Sequence, residues 1–488
     1  MTATEIHFTD YFHVDPAVLQ KYGAFNISLV ADLPLFIDPF LLFNSPKRQY
    51  QDLHEEMIRY LRFLRDKSGA TDIDQGLLRA WFLFGEVRQT WLGFTTFGNR
   101  GSGLGWDFAR ALQKNLNTIF RTFGQEQITH GSHLEKLCLI RSGVGRDNIS
   151  DFTTNLIKGF LLEYTETFTV RHVPKQLRRV VSVPRVKFNY DTEVWQAGEY
   201  ELPMFRGDFV LLTPRDILTR DEIWIDRPGL FLEFERIVTA LPDEALRAQV
   251  NNYFLQRLSK EPTRKEKDLS IEAAIAKYPE VIEYYIRSRE DNGNTATSIS
   301  QSRVQDSEAV FITQVRELVE LLRANTAFYS ISGSTYDEAR QRVAFFKDMI
   351  ENKGGHALCY LKKKPIVRET DLQLMFRFTW MGTQSDVGRE VNDGRGPVDY
   401  KISRGSRDKS LVEFKLARNS HLKQNLAKQV EIYQKASDAT KAIKVIVYFT
   451  SEEHEKVQKI LRELGLSRDQ DIILIDARAD NKPSGSKA

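Results

Sequence analysis

The sequence predicts an α/β protein, with a C-terminal core ordered helix, three strands, helix, strand, preceded by a large mixed α+β region. Two observations point there. From about residue 365 the apolar residues switch repeatedly between the 3.6-residue period of an amphipathic helix and the two-residue period of a strand. The stretch "KAIKVIVYFT", Lys441–Thr450, is almost continuously apolar, as a strand covered on both faces is.

Taken in order, residues 1–290 contain short apolar runs of strand character, "AFNISLV", "FVLLTP" and "EIWID". Helical spacing appears in "LHEEMIRYLRFLRD", where Leu53, Met57, Tyr60, Leu61 and Leu64 share a face, and again in "DEALRAQVNNYFLQRL". "EDNGNTATSISQSRVQDSE" is polar, small and aperiodic, so 291–308 reads as a linker. Residues 309–352 read as a helical connector, in which Thr335 and Glu338 stand at capping-box spacing and Gly354–Gly355 provides the stop. The core occupies 353–480. "RETDLQLMFRFTW" fits a helix with Leu372, Met375, Phe376 and Thr379 on one side. "DVGREV" and "VDYKIS" fit strands joined by a turn at Asn392–Gly396, and "SLVEFKLA" is a third. "HLKQNLAKQVEIYQKASDA" is helical, with Leu422, Leu426, Val430 and Tyr433 near one face. After the buried strand come the helix "EEHEKVQKILRELG", closed by a glycine, and a last strand, "DIILIDAR". The tail, 481–488, has the composition of a disordered terminus.

At 488 residues the chain is long enough for two or three domains, and 41% hydrophobic with 28% charged residues is the balance of a soluble protein. Cys138 and Cys359 are the only cysteines, far apart and without metal-ligand spacing. That argues against a disulfide framework or a zinc site, and for a reducing, cytoplasmic setting. The start "MTATEIHFTDYFHVD" lacks the basic and apolar parts of a signal peptide. "ISLVADLPLFIDPFLLF" is interrupted by Asp32, Asp38 and two prolines, so no membrane association is expected. The net charge of +3 is unevenly spread: residues 353–450 hold 19 Lys and Arg against 10 Asp and Glu, a net +9, and residues 1–352 carry −5. A polyanion is the partner that a basic region of this kind favours.

The basic region surrounds "GPVDYKISRGSRDKSLVEFKLA", Gly396–Ala417. Glu413 and Lys415 are two apart on a strand and share a face with Leu411, while Val412, Phe414 and Leu416 point to the core. If the preceding strand pairs antiparallel, the short loop brings Asp399 near Glu413. Two carboxylates that close repel each other unless a cation bridges them. Mg²⁺, or Mn²⁺ in its place, takes hard oxygen ligands of this type. Lys415 then stands where it neutralises charge developing on a phosphate.

This segment resembles the PD-(D/E)XK nuclease superfamily. Asp399 matches the separated acid, preceded here by Pro397–Val398 where the family has proline directly before it. Glu413-Phe414-Lys415 matches the ExK triplet, and the element order matches the restriction-endonuclease-like αβββαβ core. Gln429 and Tyr433 fit the QxxxY helix of RecB-like branches, one turn apart on one face. Some branches add an acid from the first helix, for which Glu369 is the best match and Glu390, on the first strand, the alternative. The resemblance covers about 365–476, a quarter of the chain. It implies catalytic roles for Asp399, Glu413, Lys415, Gln429, Tyr433 and Glu369, with Mg²⁺ on Asp399 and Glu413. The implied reaction is phosphodiester hydrolysis in DNA, less often RNA, in a family often used in defence against foreign DNA; the resemblance does not tell endonuclease from exonuclease, and an endonuclease is the expectation. An RNA-directed or partner-activated nuclease, and a catalytically inactive nucleic-acid-binding protein on the same fold, are the alternatives. Arg395, Lys401, Arg404, Arg407, Lys409, Arg418 and Lys423 are candidates for phosphate contacts.

The remaining features read as structure. "FGNRGSGLGWDF" lacks both GK[ST] and GxGxxG and reads as a flexible turn. In "GVGRDNISDFTTNLIKGFLLEYT", Asp147, Ser150, Asp151 and Asn155 follow a tight glycine turn, with Ser150 or Asp151 as helix cap. Asp32 and Asp38 suit turn and capping roles, and His421 a surface position. Residues 1–290 carry no enzyme motif, which leaves regulation, recognition or homo-oligomerisation as their role.

Overall fold

The computed structural model describes residues 6–30, 32–70, 73–93, 104–119, 123–140, 144–220, 223–315, 317, 333–361, 363–380, 386–392, 397–404, 408–427 and 441–482. The protein is mixed α/β, in two compact units: His7–Gln305, and a second of Ile6 together with the described residues from Asp306 on. No described helix is long and apolar enough to cross a membrane.

In the first unit the helix Arg48–Ala70 buries Met57, Tyr60, Leu61 and Leu64, the face its spacing predicts. Glu244–Leu255 starts where Asp243 accepts hydrogen bonds from the Ala245 and Leu246 amides. A long antiparallel hairpin, Arg178–Asn189 with Val194–Phe205, carries the short strand Asp208–Phe209 at one edge. "AFNISLV" and most of "FVLLTP" do not form ladders: they make isolated bridges, Ala24 with Pro214 and His7 with Ser28. Phe25, Ile27 and Leu29 are buried, and so are Val210, Leu211 and Leu212. Apolar runs of this length reflect burial, which irregular backbone satisfies as well as a strand does. The described part of "EIWID" is likewise not a strand.

Residues 291–308 are not a linker, because Gly293–Glu308 is a helix. Ala296, Ser300, Val304 and Ser307 recur at helical spacing and are all buried. Ser300 Oγ donates to Thr219 Oγ1 at 3.3 Å, and Arg303 donates to the Arg220 carbonyl at 3.1 Å. A helix that packs through small side chains leaves no hydrophobic period to read. Ser150 and Asp151 do not cap a helix either; both lie inside Arg146–Leu156, whose N-cap is Gly145. Ser150 Oγ instead accepts the Ile37 amide at 3.0 Å. Asp38 does cap Pro39–Phe43, accepting from the Phe40 amide at 3.0 Å and the Trp224 amide at 2.8 Å.

Beside that cap lies a buried polar group. His133 Nε2 is 2.9 Å from Glu290 Oε1, and Glu290 also accepts from the amides of His130 and Gly131. Glu135 is fully buried, with His133 Nδ1 3.9 Å from its Oε2, and His54 Nε2 is buried with no hydrogen-bond partner among the described residues. Cys138 and Cys359 are free and buried.

The second unit contains α1 (Thr335–Asn352), α2 (Glu369–Phe378), β1 (Asp386–Asn392), β2 (Pro397–Arg404), β3 (Asp408–Leu416), β4 (Lys441–Tyr448), α3 (Ser451–Glu463) and β5 (Ile472–Asp476). The sheet order is β5-β4-β3-β2-β1. The pairs β1–β2 and β2–β3 are antiparallel, and β3–β4 and β4–β5 are parallel. Residues 422–427 begin the helix expected before β4. Helix α1 is a layer of this core, not a connector, since it packs on β3, β4 and β5. Its capping box is Ser334 with Asp337, one residue before the predicted pair. Thr335 Oγ1 donates instead to Asp408 at the start of β3, at 2.8 Å.

Strand parity divides the sheet. Phe414 and Tyr400 face α1 and α2, where ring centroids lie 4.9 Å (Phe376–Phe414), 5.5 Å (Phe376–Tyr400) and 5.6 Å (Phe346–Phe376) apart. On the other face Ile446 and Tyr448 pack with Leu422, Leu426, Val457, Ile460 and Leu461. Glu413 and Lys415 lie on this second face.

Candidate active site

Strand β3 pairs with β4 from Ser410↔Lys441 to its end at Leu416↔Val447, but its pairing with β2 runs only from Asp408↔Arg404 to Val412↔Tyr400. Beyond Val412 the amides on the β2 side of β3 have lost their main-chain acceptors, and a buried amide must find another. Two carboxylates supply it. Asp399 Oδ2 accepts the Phe414 amide at 2.5 Å. Glu369, the first residue of α2, accepts the Leu416 amide at 3.0 Å and Asn419 Nδ2 at 3.1 Å through Oε1. Lys415 Nζ stands 3.1 Å from Glu413 Oε1 and 3.4 Å from Glu369 Oε2. The end of the β2 pairing thus brings Asp399, Glu413 and Glu369 around Lys415.

Burial pushes the Asp399 carboxyl up to about 6; Lys415 and the Phe414 amide oppose that shift, and the charges of Glu413 and Glu369 add to it. Burial also disfavours the Lys415 ammonium, but Glu413, Asp399 and Glu369 outweigh it and raise its pKa. Carboxylates crowded in this way are short of positive charge. The donors are all hard oxygens, which fits Mg²⁺ or Mn²⁺ and not zinc. Among the described residues no three His, Cys, Asp or Glu form a ready-made metal cage. Mg²⁺ does not require one: it binds through one or two carboxylates, keeps waters, and uses substrate oxygens for the rest. Asp399 and Glu413 lie close enough for the charge of one to bear on the other.

The other candidates divide. Lys401, two residues after Asp399 on β2, is half-buried, and Lys409 is exposed. Arg418 is held by Glu453, at 3.2 Å, and stacks on the Phe449 ring. Lys423 pairs with Glu463 at 2.7 Å. His421 is exposed. Gln429, Tyr433, Arg395 and Arg407 lie outside the described residues, as do the side chains of Arg404 and Glu390. Sequence reasoning passed over Asn419, for which nothing in the pattern signals a role. It also passed over Lys444, which does carry a signal as the one charge inside the apolar run of β4.

Residues 335–451, which include Glu369, Asp399, Glu413 and Lys415, match a domain of unknown function (DUF8371). Residues 13–226 match a second domain of unknown function (DUF8370). No curated protein and no solved structure matches the chain.

Proposed function

We propose that the second unit is a Mg²⁺-dependent nuclease on a restriction-endonuclease-like core, cutting phosphodiester bonds in DNA. The observation that carries this function is the convergence of Asp399, Glu413 and Lys415 where β2 parts from β3, with Glu369 joining from α2. The order α2, β1, β2, β3, helical segment, β4 supports it, since that is the order the family resemblance implies.

Asp399 and Glu413 are the residues that would hold the metal, and Mg²⁺ supplies Lewis acidity and charge neutralisation at the phosphate. Lys415 is fixed on a rigid strand beside them, so its ammonium donates to a phosphate oxygen as negative charge develops there. Glu369 holds the end of β3 in place through the Leu416 amide. Lys401 and Lys409 suit contacts to flanking phosphates. A cytoplasmic role in defence against foreign DNA belongs to the same proposal.

The test is digestion of plasmid and linear DNA with Mg²⁺, alongside Asp399→Ala, Glu413→Ala and Lys415→Ala. Each substitution is expected to lower cleavage by about 100-fold or more. Cleavage that survives all three sinks the assignment. Parallel digests of single- and double-stranded RNA separate an RNA-directed enzyme from a DNA-directed one.

A further inference from the structure

Lys444 is 7% exposed, in a strand whose neighbours are otherwise apolar. A buried ammonium persists only when a carboxylate compensates it; a leucine or methionine would pack there without that cost. Register names the partner. Glu413 is paired with Lys444 across the parallel β3–β4 ladder. Paired residues on neighbouring strands project to the same face with their strands about 5 Å apart. Burial lowers the Lys444 pKa, and the charges of Glu413, Asp469 and Asp471 oppose that shift. Both aspartates have other work. Asp471 accepts the Tyr336 hydroxyl, and Asp469 accepts the Asp471 amide at 2.9 Å. Glu413 thus stands between two lysines, Lys415 along its own strand at 3.1 Å and Lys444 from β4.

We propose that Lys444 is a second lysine of this site, a positioning residue that holds the Glu413 carboxylate from the β4 side and leaves Lys415 to face the phosphate. The inference rests on the nuclease function proposed above. Lys444 shares the Glu413 carboxylate with Lys415, so that one ammonium need not serve both that carboxylate and the substrate. With Lys444 in place, Glu413 keeps its orientation when Lys415 turns to the phosphate.

The experiment uses the full chain as wild type, Lys444→Met, Lys444→Arg, Glu413→Gln and the double variant Glu413→Gln/Lys444→Met. Thermal unfolding without metal reads the pair itself. Glu413→Gln is expected to lower Tm by stranding the buried ammonium, and adding Lys444→Met is expected to restore it. Calorimetric Mn²⁺ titration without nucleic acid reads the site: Lys444→Met is expected to weaken binding about 10-fold, the usual cost of removing a partner of a metal ligand. Cleavage is expected to fall by a similar factor, with partial rescue by Lys444→Arg. Additive Tm changes overturn the inference, and so do Mn²⁺ affinity and cleavage unaltered in Lys444→Met while the wild type cleaves. A wild type that neither binds Mn²⁺ nor cleaves, with the Tm coupling intact, instead overturns the nuclease function and reduces Lys444 to a structural ion pair.

Discussion

Glu369 does two separate jobs with its two oxygens: Oε1 closes the end of β3 and Oε2 faces Lys415. The jobs separate by substitution. Glu369→Gln keeps one carbonyl oxygen as an acceptor and removes the charge, so cleavage should fall while urea stability barely changes. Glu369→Ala strands the Leu416 amide and should cost about 1–3 kcal/mol in urea unfolding. In the first unit, burial first and then the charge of Asp38 push the Glu135 carboxyl well above its ordinary value of 4.5. The folded chain keeps a proton that the unfolded chain releases, so the contribution of Glu135 is full below that value and is lost as pH rises. Glu135→Gln cannot ionise, and its Tm relative to wild type should climb from pH 5 to pH 8 in calorimetry; a constant offset would refute this. His54 is displaced in the opposite direction, from 6.5 to about 3, by burial and by His133. Its contribution is full above 6.5 and is lost as pH falls toward 3, so His54→Gln should flatten the acid limb of the same curve.

Strand β3 is the element on which the rest of the second unit converges, and Phe414 is its centre, fully buried against Phe346 and Phe376. Phe414→Ala should cost about 3–5 kcal/mol in urea unfolding. The helix Gly293–Glu308 is sensitive in the opposite sense: Ser300→Leu forces a large side chain into a small-residue contact and should destabilise by about 1–3 kcal/mol. The two elements also mark how far the sequence could be read. In β3 the side chains alternate between apolar and charged, and that alternation reveals both the strand and the face that carries Glu413 and Lys415. In 293–308 the buried face is alanine, serine and valine, which composition cannot tell from a polar loop. The acids of the site were readable because they interrupt apolar patterns. The loss of β2 pairing that makes Asp399 and Glu369 cap amides was not, because where a ladder ends depends on tertiary geometry. Asn419 was hidden for the same reason.

Across the whole chain, charge separates into an acidic 1–352, at −5, a basic 353–450, at +9, and a near-neutral 451–488, at −1. A variant lacking Glu413 should therefore still bind DNA, with an affinity that falls steeply with salt, by a logarithmic slope of about −0.9 for each phosphate neutralised. Anisotropy titrations between 50 and 200 mM salt measure it, and affinity independent of salt would count against a phosphate-tracking surface. The Asp399–Phe414 bond also has a bearing on how the chain reaches its active form. A β2 strand mispaired by two residues would keep its apolar face inward, so hydrophobic burial alone would not reject it. It would, however, place Lys401 where Asp399 belongs, beside Lys415. Lys401, Lys415 and Lys444 would then crowd Glu413 and Glu369, and the Asp399–Glu413 pair proposed to gather the metal would be lost. On the proposed function, the last correct stitch of the hairpin is then what completes the site, and a chain misfolded there would not cut nucleic acid.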